Sequence, residues 1–150
     1  MTHTIETYSI STTATRKGII NKVPNELLVT AEYTLKNIRN LEFILGAPIL
    51  QLSGYRCPLL NSFLQGKNKT NKISQHEKAE AMDFICPDFN TPEQTVDFIC
   101  KSNVNFDQLI MEGNWVHISF ISINPRREVL KATFTNGKVS YTPYIIGNNI

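Results

Sequence analysis

The chain holds three histidines, and two of them stand close in sequence to groups that could do metal chemistry. His76 ends the polar stretch Ser74-Gln75-His76, and Asp83 follows within Ala81-Met82-Asp83-Phe84-Ile85. His117 lies in the middle of Trp115-Val116-His117-Ile118-Ser119, while His3 reads as a bystander in a terminal arm. A carboxylate among Met82, Phe84 and Ile85 is costly to bury unless its charge is compensated. A metal ion would compensate it. Two imidazoles and one carboxylate, with an open fourth position, make a known catalytic zinc arrangement. Plainer readings fit the same residues. Asp83 could pair with a Lys or Arg, and His117 could be a hydrogen-bonded core histidine. The interval from His76 to Asp83 is not the helical HExxH pattern, so types and spacing alone leave both readings open.

Any such site needs elements to hold it. Residues 1–22 are rich in Thr, Ser and Ile, and the alternation in Thr7-Tyr8-Ser9-Ile10-Ser11 predicts an edge strand or a loose arm. From Pro24 onward, apolar residues at Leu27, Leu28, Ala31, Leu35, Ile38, Leu41, Ile44 and Leu45 recur in threes and fours, which predicts a long helix stopped at Gly46. A short strand over 48–52 then leads into Ser53-Gly54-Tyr55-Arg56. Pro58 to Gln65 reads as a short helix, Gly66 to Ser74 as a loop, and Ala81 to Ile85 as a strand. Thr91-Pro92-Glu93-Gln94 is a capping box that opens a helix ending near Ser102. Strands over 106–111 and 115–120 flank Glu112-Gly113-Asn114. Strands over 129–135 and 138–144 flank Asn136-Gly137, a strong tight-hairpin signal. Helices first and hairpins last predict an α+β class: one small domain, with N-terminal helices packed on an antiparallel sheet that carries the site.

Composition narrows the class. With 150 residues, 41% hydrophobic and 19% charged, the chain suits one globular domain with a real core. A net charge of +2 leaves no electrostatic footprint for nucleic acid. The nearest thing to a basic patch, Lys67, Lys69 and Lys72, reads as a solvated loop. No apolar run approaches a membrane span, and the first residues lack a signal pattern. Cys57, Cys86 and Cys100 are odd in number and irregular in spacing, which predicts free thiols and no thiolate metal site.

Four blocks together carry a resemblance. They are Ser53-Gly54-Tyr55-Arg56-Cys57-Pro58 with Leu60-Asn61; Ser74-Gln75-His76 with Ala81 and Asp83; Phe106-Asp107-Gln108-Leu109-Ile110; and Glu112 with Trp115-Val116-His117-Ile118-Ser119. In this order they resemble the M15 family of zinc D-Ala-D-Ala carboxypeptidases, and most closely the branch found in phage endolysins and other peptidoglycan endopeptidases. The likeness runs from about Pro24 to Phe120, and a peptidase domain over 23–150 follows from it.

The resemblance implies that His76, Asp83 and His117 hold zinc, and that Arg56 faces the substrate carbonyl or carboxylate. It implies Glu112 as the acid/base, because Asn114 stands where many relatives carry an acidic residue. Ser53, Tyr55, Gln75 and Gln108 fall at positions that contact substrate, with Gln75 also able to orient a ligand. Asp107 is the competing base. Ala79 stands where relatives usually have Gly. The implied substrate is the stem or cross-linking peptide of peptidoglycan, with D-amino acids near the cleaved bond. The implied setting is the host cytoplasm, with holin-type release to the wall, or a virion. A virion-associated structural component, or a zinc-binding module without catalysis, is the alternative.

Overall fold

The computed structural model describes residues 3–66 and 70–146. Lys67 and Lys69 of the basic stretch lie outside the described residues. Two short helices, α1 (Ile5–Tyr8) and α2 (Thr12–Lys17), open the chain. A 3₁₀ turn, Asn25–Leu27, leads into the long α3 (Leu28–Leu45). Then come β1 (Leu50–Ser53), α4 (Pro58–Gln65), β2 (Ala81–Ile85), α5 (Pro92–Lys101), β3 (Gln108–Glu112), β4 (Trp115–Ser119), β5 (Glu128–Thr135) and β6 (Lys138–Pro143). Among the described residues, no helix is long and apolar enough to cross a membrane.

The fold is α+β, with a six-stranded sheet in the order β1-β2-β4-β3-β5-β6. Its two faces differ. Met82, Phe84, Leu109, Met111, Val116 and Ile118 alternate onto one face and share a single core with Ala31, Leu35, Ile38 and Leu41 of α3 and Val96 and Ile99 of α5. The other face carries the intervening residues, with Asp83 directly opposite His117, His117 opposite Ile110, and Glu112 opposite Trp115. Strand alternation therefore separates packing from chemistry.

The structure corrects two expectations. Among the described residues of the segment expected over 1–22, residues 3–22 form no strand and are no loose arm. Thr4 and Ser11 each accept a backbone N–H at a helix start, which favours two short helical turns over an extended edge. Tyr8 is fully buried, and Asn21 ties the segment down by donating to the Ser9 and Tyr55 carbonyls and accepting from Cys57 N–H. His3 is likewise buried, within 3.3 Å of Glu42. The sheet is also mixed, not purely antiparallel, because β3 and β5 run parallel. β4 ends beside the start of β3, and the chain crosses that end over 120–127, so β5 must set out in the same direction as β3. The final hairpin is as expected, with Asn136 and Gly137 both at positive φ (52° and 75°), as a tight turn of this kind requires.

Candidate metal centre

Each candidate ligand has a local reason for its place. His76 sits in a helical turn closed by Glu80 N–H to the Gln75 carbonyl (2.9 Å) and Ala79 N–H to the His76 carbonyl (3.3 Å). This is a Schellman closure, and it puts Ala79 in the left-handed region at φ 59°. A glycine would sit there without strain, in keeping with the glycine that the resemblance implies at this position. Asp83 is central in β2 and His117 central in β4, paired in register. The ligand-capable atoms of His76, Asp83 and His117 all lie within 4.8 Å of one another, and all three residues are buried.

The nitrogens are sorted by their other partners. His76 Nδ1 donates to the Gly54 carbonyl at 2.7 Å, so its Nε2 faces Asp83 Oδ1 at 3.3 Å. His117 presents the opposite nitrogen, Nδ1, to the same oxygen at 3.0 Å. Asp83 Oδ2 is taken by Arg56 at 2.9 Å. One carboxylate oxygen and two ring nitrogens are thereby aimed at a common point.

Burial pushes the His76 imidazole below its ordinary pKa, against the pull of Asp83. Burial alone would raise Asp83, but the charge and hydrogen bonds of the two imidazoles outweigh it and hold the carboxyl well below the usual range. Neutral imidazole and ionised carboxylate are the forms a metal needs. Glu112 moves the other way: burial, then the Asp83 charge, raise it above an ordinary glutamate, against lowering by His117 and Arg56.

The remaining expected site residues fall in different places. Arg56 does have an acidic partner, Asp83, and its Nε donates to Ser53 Oγ at 2.9 Å, so Ser53 braces the arginine. Tyr55 is buried and joins the core. Gln75 reaches His117 Nε2 with Oε1 at 3.4 Å and donates from Nε2 to Asp107 at 2.8 Å, placing it behind a ligand. Gln108 donates to Glu128 at 2.6 Å. Asp107 is a fully buried partner of Arg126 and is not a surface carboxylate. Arg126 holds it down to about 2, and Gln75 stands between it and His117, so it is no competitor for the base.

Gly54, Tyr8 and Arg126 were not foreseen as part of this site. Gly54 lets Tyr8 lie against it: a Cβ there would meet the Tyr8 carbonyl and ring. Tyr8 in turn donates to the Ala81 carbonyl at 2.7 Å, two residues before Asp83. The glycine in the Ser53-to-Arg56 block was the available signal for that close approach. A cavity of about 550 Å³ opens behind the site against Gln75, Asp107 and Arg126, and none of the three ligands lines it.

The donor set fits zinc. Two imidazoles and a carboxylate, with no fourth protein donor among the described residues, leave a position open. A buried cluster of this kind beside a raised carboxylic acid offers the groups that metal-dependent hydrolysis uses. The model of the Peptidase M15 family matches residues 3–119, and the chain belongs to that family. It is a metallopeptidase by family. The match begins within the segment expected as an arm and ends at β4, leaving β5 and β6 outside it. No curated protein and no solved structure matches the chain.

Proposed function

We propose that the protein is a zinc-dependent peptidase that hydrolyses peptide bonds in the stem or cross-link of bacterial peptidoglycan, and that it works as a phage endolysin. The reading is carried by the buried His76–Asp83–His117 cluster, flanked by Glu112 and Arg56, within an M15 chain. Zinc bound there would supply a Lewis acid for the scissile carbonyl and acidify water. Glu112 accepts the proton of the attacking water and returns it to the leaving amine. Its raised pKa brings it toward the range where both transfers are favourable. Arg56, held by Ser53 and Asp83, sets a fixed positive charge against the anionic tetrahedral state. Asn114, in the turn between β3 and β4, cannot take a proton.

The test is incubation of the zinc-loaded protein with purified peptidoglycan, followed by mass spectrometry of the released fragments. Peptide fragments cut next to a D-amino acid are expected. Glu112→Gln should keep fold and zinc and lose about two to four orders of magnitude in turnover. A zinc-loaded wild type that releases nothing would make this a binding module.

A further inference from the structure

We propose that Gln75, Asp107 and Arg126 form a positioning relay that sets the tautomer and orientation of His117 for metal binding. The proposal rests on the zinc reading of the site.

The relay follows from what each group can and cannot do. A carboxylate only accepts hydrogen bonds. Asp107 is buried, and both of its oxygens are engaged: Oδ1 accepts from the Arg126 backbone N–H and Nε, each at 3.0 Å, and Oδ2 accepts from the Arg126 guanidinium at 2.7 Å. The Gln75 group facing Oδ2 at 2.8 Å must therefore be the NH₂ end of the amide. That leaves the amide oxygen, an acceptor only, against His117 Nε2 at 3.4 Å. Without a metal, Nδ1 can give the ring proton to Asp83 Oδ1 at 3.0 Å. With a metal at the point shared by Nδ1, Asp83 Oδ1 and His76 Nε2, Nδ1 must be bare, and the Gln75 oxygen is the acceptor that holds the proton on Nε2. Partners of this kind behind a metal-bound histidine commonly matter about 10–100-fold in metal affinity.

The anchor of the relay lies outside the stretch that defines the family. The matched residues end at 119, and Arg126 comes from the crossing segment that leads to β5. Its side chain is half-exposed, so the far end of the relay is open to solvent while Asp107 is sealed.

Zinc affinity, measured by competition with a chromophoric chelator, tests the relay without any substrate. Gln75→Leu keeps the shape of the side chain and removes both hydrogen bonds, and its dissociation constant should rise about 10–100-fold. Arg126→Met should weaken zinc by a smaller factor, and Arg126→Lys should recover part of the loss. Ring ¹⁵N shifts of zinc-loaded wild type should show His117 protonated at Nε2. Should Gln75→Leu fail to fold, Arg126→Met reads the same chain from its exposed end. Variants whose melting temperature falls while zinc affinity stays at the wild-type value would overturn the relay and leave only a structural ion pair. A wild type that takes up no zinc would overturn the metal reading itself, and the relay with it.

Discussion

His76 and His117 lie at similar depth, 4% and 7% exposed, and face the same oxygen of Asp83, yet they are secured by different means. His76 is held by a main-chain carbonyl, that of Gly54, at 2.7 Å. His117 is held at 3.4 Å by a side-chain amide that depends on two more side chains. A backbone anchor cannot be deleted by substitution, but it demands that the backbone reach the ring, and here that requires glycine against Tyr8. A side-chain anchor tolerates ordinary backbone geometry and is vulnerable at every link. The same ligand role is thus guarded by shape on one side and by charge on the other.

The largest expected effect removes the difference altogether. His76→Ala and His117→Ala should each empty the site, and elemental analysis should find close to one zinc per wild-type chain and almost none in either variant. Each should also lose the stabilisation that zinc confers, about 2.7 kcal/mol when free zinc is 100 times its dissociation constant. Gly54→Ala attacks the shape-guarded side. Overpacking against Tyr8 should cost about 1–3 kcal/mol and lower the melting temperature while Gln75 and Asp107 stay in place.

The charge-guarded side should show itself in acid. Arg126 holds Asp107 down to about 2, below an ordinary carboxylate. The stabilisation is therefore complete above about pH 4 and is lost as pH falls toward the folded-state value. With solvent screening of the half-exposed Arg126, it amounts to on the order of 1–2 kcal/mol. Urea unfolding at pH 5 and pH 3 should show part of this loss as a difference: the zinc-free wild type should lose more stability than Asp107→Asn, which keeps the acid-sensitive contribution of Asp83. The smallest effect belongs to the turn that carries His76. Ala79→Gly relieves about 1–2 kcal/mol of left-handed strain but gives up a buried methyl worth about 0.8 kcal/mol and adds chain entropy of roughly 0.5–1 kcal/mol. The stability of the two proteins by denaturant titration should agree within about 1 kcal/mol.

The parts of this comparison that were legible in the sequence are those set by local chemistry. Gly46 ends α3 in the left-handed region, Thr91 caps α5, and Asn136-Gly137 turns the last hairpin. A carboxylate between Met82 and Phe84 asked for a compensating charge, but types and spacing left a metal and an ion pair both open, and the resemblance to the M15 family assigned the triad. Local chemistry also misled: Thr7 to Ser11 alternates like a strand, but Thr4 and Ser11 serve as helix caps. The parallel β3–β5 pair was hidden because direction is set by where a connection crosses, not by strand composition. The relay was hidden for a similar reason. Gln75, Asp107 and Arg126 are far apart in the chain, and no pattern in any one segment shows that an amide, a carboxylate and a guanidinium will stack behind His117.

The central claim is that hydrolysis depends on a metal held by His76, Asp83 and His117 and on a proton accepted by Glu112. The most direct measurement strips the protein with a chelator, titrates zinc back, and follows peptide fragments released from purified peptidoglycan. Turnover should be absent in the stripped protein and rise in proportion to bound zinc until one ion per chain is reached. Glu112→Gln should load the same zinc and stay about two to four orders of magnitude slower. Full turnover by the zinc-free protein, or by zinc-loaded Glu112→Gln, would contradict the account.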